Sequence, residues 1–255
     1  IVAGELQSYV NGPFSAAPFN AAGGAQVFPG FRPANETDVS RNSFAGYAEL
    51  DADLTDQLTL QLAGRYEHFS DFGDTINGKA AARFEVIDGV ALRGSVSTGF
   101  RAPSLAQQSF AATSTNNVGG VLIEIGTFPV SSPVAVALGA QPLKPEKSIN
   151  LGAGVTFTPI SGLSITADYY NIQIDDRITL TENLQGADVL ALLTAANVTG
   201  VSSARFFING INTKTTGLDV VASYRVPDFG LGQFRVSVGY NLNDTEITDR
   251  RVFSG

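Results

Sequence analysis

The 255-residue chain has no cysteine, so it holds neither a disulfide framework nor a thiolate metal site. Its single histidine, His68, leaves no second imidazole for a metal site or a nucleophile–base pair. No run approaches the roughly 20 consecutive apolar residues that a membrane-crossing helix requires. Basic residues are few: 16 Lys and Arg against 24 Asp and Glu give a net charge of -8. That excludes the basic face with which a nucleic-acid binder neutralises phosphates. Methionine is absent, even at the start, and no signal peptide is visible within the sequence, which reads as an interior piece of a longer precursor.

What the chain has is alternation. Phe44, Gly46, Ala48, Leu50, Ala52 and Leu54 interleave with Ala45, Tyr47, Glu49, Asp51 and Asp53. Segments 58–67, 79–86, 90–101, 148–158, 163–170, 217–225 and 233–243 repeat the pattern. A period of two sends successive side chains to opposite faces of a strand. In all eight segments the apolar parity carries no Lys, Arg, Asp or Glu, whereas the other carries Glu49, Asp51, Asp53, Arg65, Glu67, Arg83, Glu85, Arg93, Asp168, Asp219, Arg225 and Arg235.

Connections decide what the apolar face meets. Short links (55–57, 87–89, 160–162 and 227–231) alternate with long ones (70–77, 102–147, 171–216 and the tail after Asn243). Every long link therefore leaves from one end of the sheet, as in transmembrane barrels and unlike the Greek-key order of soluble sandwiches. On the apolar face Phe44, Tyr66, Phe100 and Tyr240 fall near the long-loop end, with Tyr169 somewhat deeper, and Phe84, Phe157, Tyr224 and Phe234 fall near the other. Two aromatic belts with aliphatics between them suit two membrane–water interfaces. The expected fold is all-β, an antiparallel up-and-down transmembrane barrel rather than a soluble sheet. Residues 1–10 would add a ninth strand leading into a loop over 11–42, and an odd count does not close such a barrel.

Other features carry little chemistry. His68 reads as a rim residue, and Asp71/Asp74 and Asp175/Asp176 as solvated loop charges without the oxygen-ligand spacing of a calcium loop. Gly152-Ala153-Gly154 lies inside an alternating strand with no helix after it, so it is not a phosphate loop; its inward glycines allow close backbone approach. Residues 188–197 suit a short loop helix capped by Asp188, with Val189, Leu192 and Leu193 on one face.

Several stretches resemble the C-terminal barrel of TonB-dependent outer-membrane receptors. They are Gly24-Ala25-Gln26-Val27-Phe28-Pro29-Gly30-Phe31, Gly99-Phe100-Arg101-Ala102-Pro103-Ser104-Leu105, Leu143-Lys144-Pro145-Glu146-Lys147-Ser148, Asp168-Tyr169-Tyr170-Asn171-Ile172 with Asp175-Asp176-Arg177-Ile178, and 198–218. The resemblance covers most of the chain. It implies the middle of a 22-stranded barrel in the bacterial outer membrane, bounded by lipid and filled by a plug domain of the same polypeptide. It also implies active import of a scarce nutrient (an iron chelate, cobalamin or an oligosaccharide) driven through a TonB partner, without catalysis or a cofactor. No plug and no TonB-contacting segment is recognisable here. On this basis Arg101, Phe110, Asn116 and Asn117 are loop candidates for ligand contact, and Arg65, Glu67, Asp168 and Tyr170 upper-lumen candidates. Glu49, Asp51, Asp53, Arg83 and Arg93 are expected to face the plug. The competing expectation is a structural, adhesive or passive channel barrel that binds a partner through its loops. An outer-membrane hydrolase is disfavoured because His68 lies on the apolar parity.

The two parities differ in what they tolerate. Leu60→Arg or Val96→Arg is expected to impair assembly into outer membranes, at a cost of about 2–4 kcal/mol, while Gln61→Arg and Ser97→Arg are tolerated. Heat-modifiable gel mobility reads the difference, and equal tolerance at both parities would refute the lipid-facing assignment.

Overall fold

The computed structural model describes residues 35–118, 120–198, 200–227, 230 and 232–252. In chain order it contains β1 (Ser43–Asp53), β2 (Leu58–Phe69), β3 (Gly73–Ile87), β4 (Val90–Arg101), helix α1 (Leu105–Ser109), β5 (Ala112–Val118) and β6 (Val121–Thr127). Helix α2 (Pro133–Ala137), β7 (Glu146–Phe157), β8 (Leu163–Leu180), helix α3 (Ala187–Ala195), β9 (Ser203–Arg205), β10 (Phe207–Val226) and β11 (Phe234–Arg250) follow. All eight alternating segments are strands of one sheet in the order β1-β2-β3-β4-β7-β8-β10-β11, every pair antiparallel. β1 and β11 form its two edges. The candidate strand over 1–10, the motif 24–31 and most of the expected 11–42 loop lie outside the described residues.

Turn chemistry closes the short end. Thr55 Oγ1 accepts from the N–H of Gln57 (3.2 Å) and of Leu58 (3.0 Å), fixing the first link. Gly89 and Gly162 adopt φ of +76° and +84°, a region L side chains avoid, and each is pressed against a neighbouring strand's carbonyl (Thr158 and Arg225).

The apolar parity forms one continuous face. A soluble sheet would cover it, yet Leu50 is 59% and Val238 65% exposed, and their neighbours are alike. An apolar patch of this extent calls for lipid. Cross-strand rows also give the tilt. Leu58, at the short-turn end of β2, shares a row with Phe84, Leu92, Val155, Ala167, Val220 and Tyr240. Tyr240 stands six residues above Phe234, the short-turn end of β11. A drift of about 20 Å over six strand spacings, about 29 Å, corresponds to a tilt of roughly 35°, near that of membrane-barrel strands.

Three expected connections are shorter than the sequence suggests. The 70–77 link is a turn over 70–72, because β2–β3 pairing runs on to Phe69↔Gly73. The 171–216 loop shrinks to 181–206, since β8 continues to Leu180 and β10 starts at Phe207, and the tail after Asn243 belongs to β11. Beyond the lipid belt both faces of a strand meet polar surroundings, so period-two hydropathy vanishes while backbone pairing persists. Bulges at Asn209/Ile211, Ile211/Thr213 and Asn212/Thr213 scramble the parity further.

The conventional hydrophobic core lies outside the belt. Loops 102–145 and 181–206 fold together as a cap: β6 pairs with β5 antiparallel and with β9 in parallel. Val134, Val189, Leu193 and Ala204 form one buried cluster, and Ala135, Ala140, Phe206 and Ile208 another. Among the described buried apolar residues only Ala91 belongs to the lipid-crossing wall. Ser104 and Gln107 make a reciprocal capping box on α1, and Ser132 Oγ accepts the Ala135 N–H (3.1 Å) at the start of α2. Helix α3 forms where expected, with Val189 and Leu193 buried, but its N-cap is Gly186 with no side-chain bond. Asp188 sits instead inside the first turn, where its charge favours the helix dipole.

Because cap and wall have separate sources of stability, they should fail separately. Leu193→Ala, which removes a 1% exposed side chain, is expected to cost the cap about 2–5 kcal/mol. Limited proteolysis should then cut within 102–145 and 181–206 while the heat-modifiable wall survives.

Candidate functional site

The polar face of the wall is organised by cross-strand rows. One row reads Asp53, Thr59, Arg83, Arg93, Gly154, Asp168, Asp219 and Asn241 from edge to edge. Arg93 forms a two-armed pair with Asp168, Nε to Oδ1 at 2.7 Å and Nη2 to Oδ2, although β7 lies between their strands. Gly154 makes this possible: a Cβ there would stand 2.1 Å from Asp168 Oδ1. The close approach expected at Gly152-Ala153-Gly154 is therefore made largely by side chains, with Ser95 Oγ lying 3.0 Å from a Cβ at Gly152. Asp51, Lys79, Arg83, Arg93, Asp168 and Tyr170 border a hollow floored by Ser95, Gly152 and Gly154. Tyr170 lies across Gly217, and Asn241 Nδ2 donates to Asp219.

Neighbouring charges are tied locally. Arg65 Nη2 donates to Glu67 (2.8 Å), Arg83 Nη2 to Glu85 (3.1 Å), Gln61 Nε2 to Glu49 (2.8 Å) and Thr59 Oγ1 to Asp53 (2.7 Å). Arg101 is held by Glu146 through both arms of its guanidinium, and Glu146 Oε1 also accepts the Ile178 N–H at 2.7 Å. This carboxylate joins the ends of β4, β7 and β8 at the base of the cap. Burial pushes the Glu146 carboxyl up, but Arg101, the Ile178 N–H and nearby Arg177 outweigh it and hold it below the usual carboxylate range.

A second knot fastens the end of the wall that carries the cap. Arg41 donates from Nε (2.9 Å) and Nη2 (2.5 Å) to Asp71 and from Nη2 to the Pro103 carbonyl (2.5 Å), while Gln108 Nε2 donates to Asp71 (2.9 Å). The Arg41 guanidinium also lies over the Phe69 and Phe72 rings. Asp74 receives Tyr66 OH (2.9 Å) and His68 Nδ1 (2.7 Å), and Phe44 stacks on His68. Asp71 and Asp74 are therefore bonded as well as charged: the polar rim draws each carboxylate to a donor, while Asp74 keeps 60% of its side-chain surface open to solvent as expected.

The sequence candidates thus fall into separate sets. Asp51, Arg83, Arg93, Asp168 and Tyr170 share one hollow, whereas Arg65 with Glu67, and Glu49 and Asp53, belong to neighbouring positions of the same wall. Asn116 stands on β5 opposite Ile123, Asn117 Oδ1 accepts the Gly120 N–H (2.8 Å) at the hairpin tip, and Phe110 caps the C-terminus of α1. The sequence pattern does not single out Arg41, Lys79, Gln108 or Glu146. Register reveals Glu146, since Arg101↔Glu146 is a cross-strand pair whose members are separated by the whole cap loop, whereas Arg41 and Gln108 lie outside the paired strands. Among the described residues no group of three or more His, Cys, Asp or Glu could hold a metal ion.

Comparison with known proteins bears on the whole chain. The family profile described as "TonB dependent receptor-like, beta-barrel" matches residues 3–255. An iron-regulated outer membrane virulence protein of Vibrio cholerae serotype O1 is 26% identical over 145 residues, 57% of this chain and 20% of that protein. The siderophore receptor PirA of Pseudomonas aeruginosa superposes with a TM-score of 0.60 at 17% identity, over 81% of this chain and 35% of that one. The RagAB peptide importer superposes with a TM-score of 0.56 at 15% identity, over 84% of this chain and 23% of that one. The chain therefore spans about a fifth of the curated relative and a quarter to a third of these structures.

The Glu146 junction makes a pH-dependent prediction. A carboxyl held below its unfolded value stabilises the fold above that value, and the contribution disappears as pH falls through the lowered folded value. Protease resistance of the cap base is expected to be full at neutral pH and to decline below about pH 4. Glu146→Gln should weaken the junction at neutral pH, converge with the parent protein in acid and so flatten this dependence; an unchanged acid profile would assign the loss to other groups.

Proposed function

From the premise that this chain belongs to the TonB-dependent receptor family of outer-membrane β-barrels, we propose that it supplies eight wall strands and an extracellular cap to a receptor importing an iron chelate. The cap over a polar wall carries the reading. Two loops with a shared core present a preformed surface above a hollow lined by charges of both signs. A rigid surface loses less conformational entropy on binding than loops that must fold around their ligand. Support for the cargo comes from the relatives, an iron-regulated protein and a siderophore receptor.

Within this reading Phe110, Asn116 and Asn117 meet the ligand on the cap, and Arg65, Glu67, Asp168 and Tyr170 meet it at the upper lumen. Arg101 holds the cap in place through Glu146. Glu49, Asp51, Asp53, Arg83 and Arg93 face a plug contributed by the rest of the polypeptide, which also engages TonB. The local bonds of Glu49, Asp53, Arg83 and Arg93 suit that seat, since a plug moving past them leaves these groups with their partners.

Uptake of radiolabelled iron chelates by iron-starved cells tests this with the full-length protein. Uptake should require both the gene and an energised inner membrane. Asn116→Ala with Asn117→Ala should raise the half-saturating chelate concentration roughly three- to tenfold, about 0.6–1.4 kcal/mol, at unchanged receptor abundance. Transport that persists without the energised membrane would instead establish a passive channel.

A further inference from the structure

We infer that Arg225 and Arg235 form an oxyanion-receiving site at the short-turn mouth of the lumen, occupied by a carboxylate of the polypeptide segment that fills the barrel. The inference rests on the barrel reading above. The two residues are direct cross-strand partners on the polar face. Like charges set opposite each other are unfavourable, so such a pair needs a counter-charge. The wall shows what happens when it supplies one. Arg83 and Arg93 are also direct partners, and there Glu85 takes the first and Asp168 the second. For the guanidinia of Arg225 and Arg235 no carboxylate or other hydrogen-bond partner stands among the described residues.

The surroundings are suited to an anion. Arg225 and Arg235 share a hollow with Ser161, Ser164 and Ser223, whose hydroxyls can donate, and with Thr158, whose hydroxyl is held by the Gly89 carbonyl. Ser223 is bonded to Ser237 across the same strand pair (3.0 Å), and the Arg225 N–H donates to the Gly162 carbonyl (2.8 Å), which fixes the backbone under the first guanidinium. Position selects the occupant. The hollow opens on the polar face at the end opposite the cap, so an incoming nutrient meets it last, while a segment resident in the lumen meets it permanently. A carboxylate held there would bridge both guanidinia and relieve their repulsion.

The test uses the full-length polypeptide in outer membranes. Arg225→Glu with Arg235→Glu is expected to unseat the lumen-filling segment. Its cleavage by protease added from the periplasmic side, and cell entry of a large antibiotic, should each rise severalfold while the heat-modifiable barrel persists. The Gln pair should give an intermediate rise. A photoreactive benzoyl-phenylalanine in place of Arg235 should cross-link to an Asp- or Glu-bearing peptide outside residues 1–255 of the same polypeptide. Cross-linking confined to 227–233, which contains Asp228, would make the counter-charge local and overturn the proposal. So would shielding by added inorganic phosphate with no cross-link, which would identify a free anion site. A parent protein lacking heat-modifiable mobility would instead overturn the barrel reading itself.

Discussion

Backbone hydrogen bonding in hydrocarbon governs this molecule. No water inside a bilayer can satisfy a peptide N–H or carbonyl, so each one on a crossing strand must find its partner on a neighbouring strand. The antiparallel eight-stranded order meets that demand between its two edges, β1 and β11, and the rest of the wall follows from it. Strict pairing imposes strict alternation. Alternation in turn puts every charge on one face, where mutual neutralisation governs its placement.

That second face is economical in its use of glycine. Arg93 reaches Asp168 only because β7 offers no side chain at Gly154, so a single missing methyl group links three strands electrostatically. Tyr170 similarly occupies the space above Gly217. Small residues on this wall therefore set which of the large ones can meet. The cap is held by a different means, through Glu146 and Arg41, each of which draws several chain segments to one charged centre.

Period-two hydropathy and loop rhythm made the wall legible down to the side of each residue, because lipid imposes a one-dimensional code on a strand. Residues such as Leu50 and Glu49 carry that code individually. It stops where lipid stops. The upper halves of β8, β10 and β11 show no alternation, and Asn171 or Asp244 reads as loop although each is paired in the sheet. The site was legible only as membership of a face: Asp168 and Arg93 could be placed on the polar side, but their pairing depends on register and on Gly154. The cap was least legible, since joining β6 to β9 requires contacts between residues more than seventy positions apart, and nothing local in Ile125 or Ser203 announces the other.

The location of the core has a consequence for biogenesis. Phe206, Leu193 and Ile125 are nearly inaccessible in the finished cap, and in the orientation proposed above the cap lies on the far side of the membrane from the site of synthesis. They must therefore be carried across unfolded and collapse on one another only in the external medium, where neither ATP nor ATP-driven chaperones are at hand. Strands β4, β7, β8 and β10 bring the two loop bases together beforehand, so the wall acts as a template on which the surface module completes its own folding outside the cell.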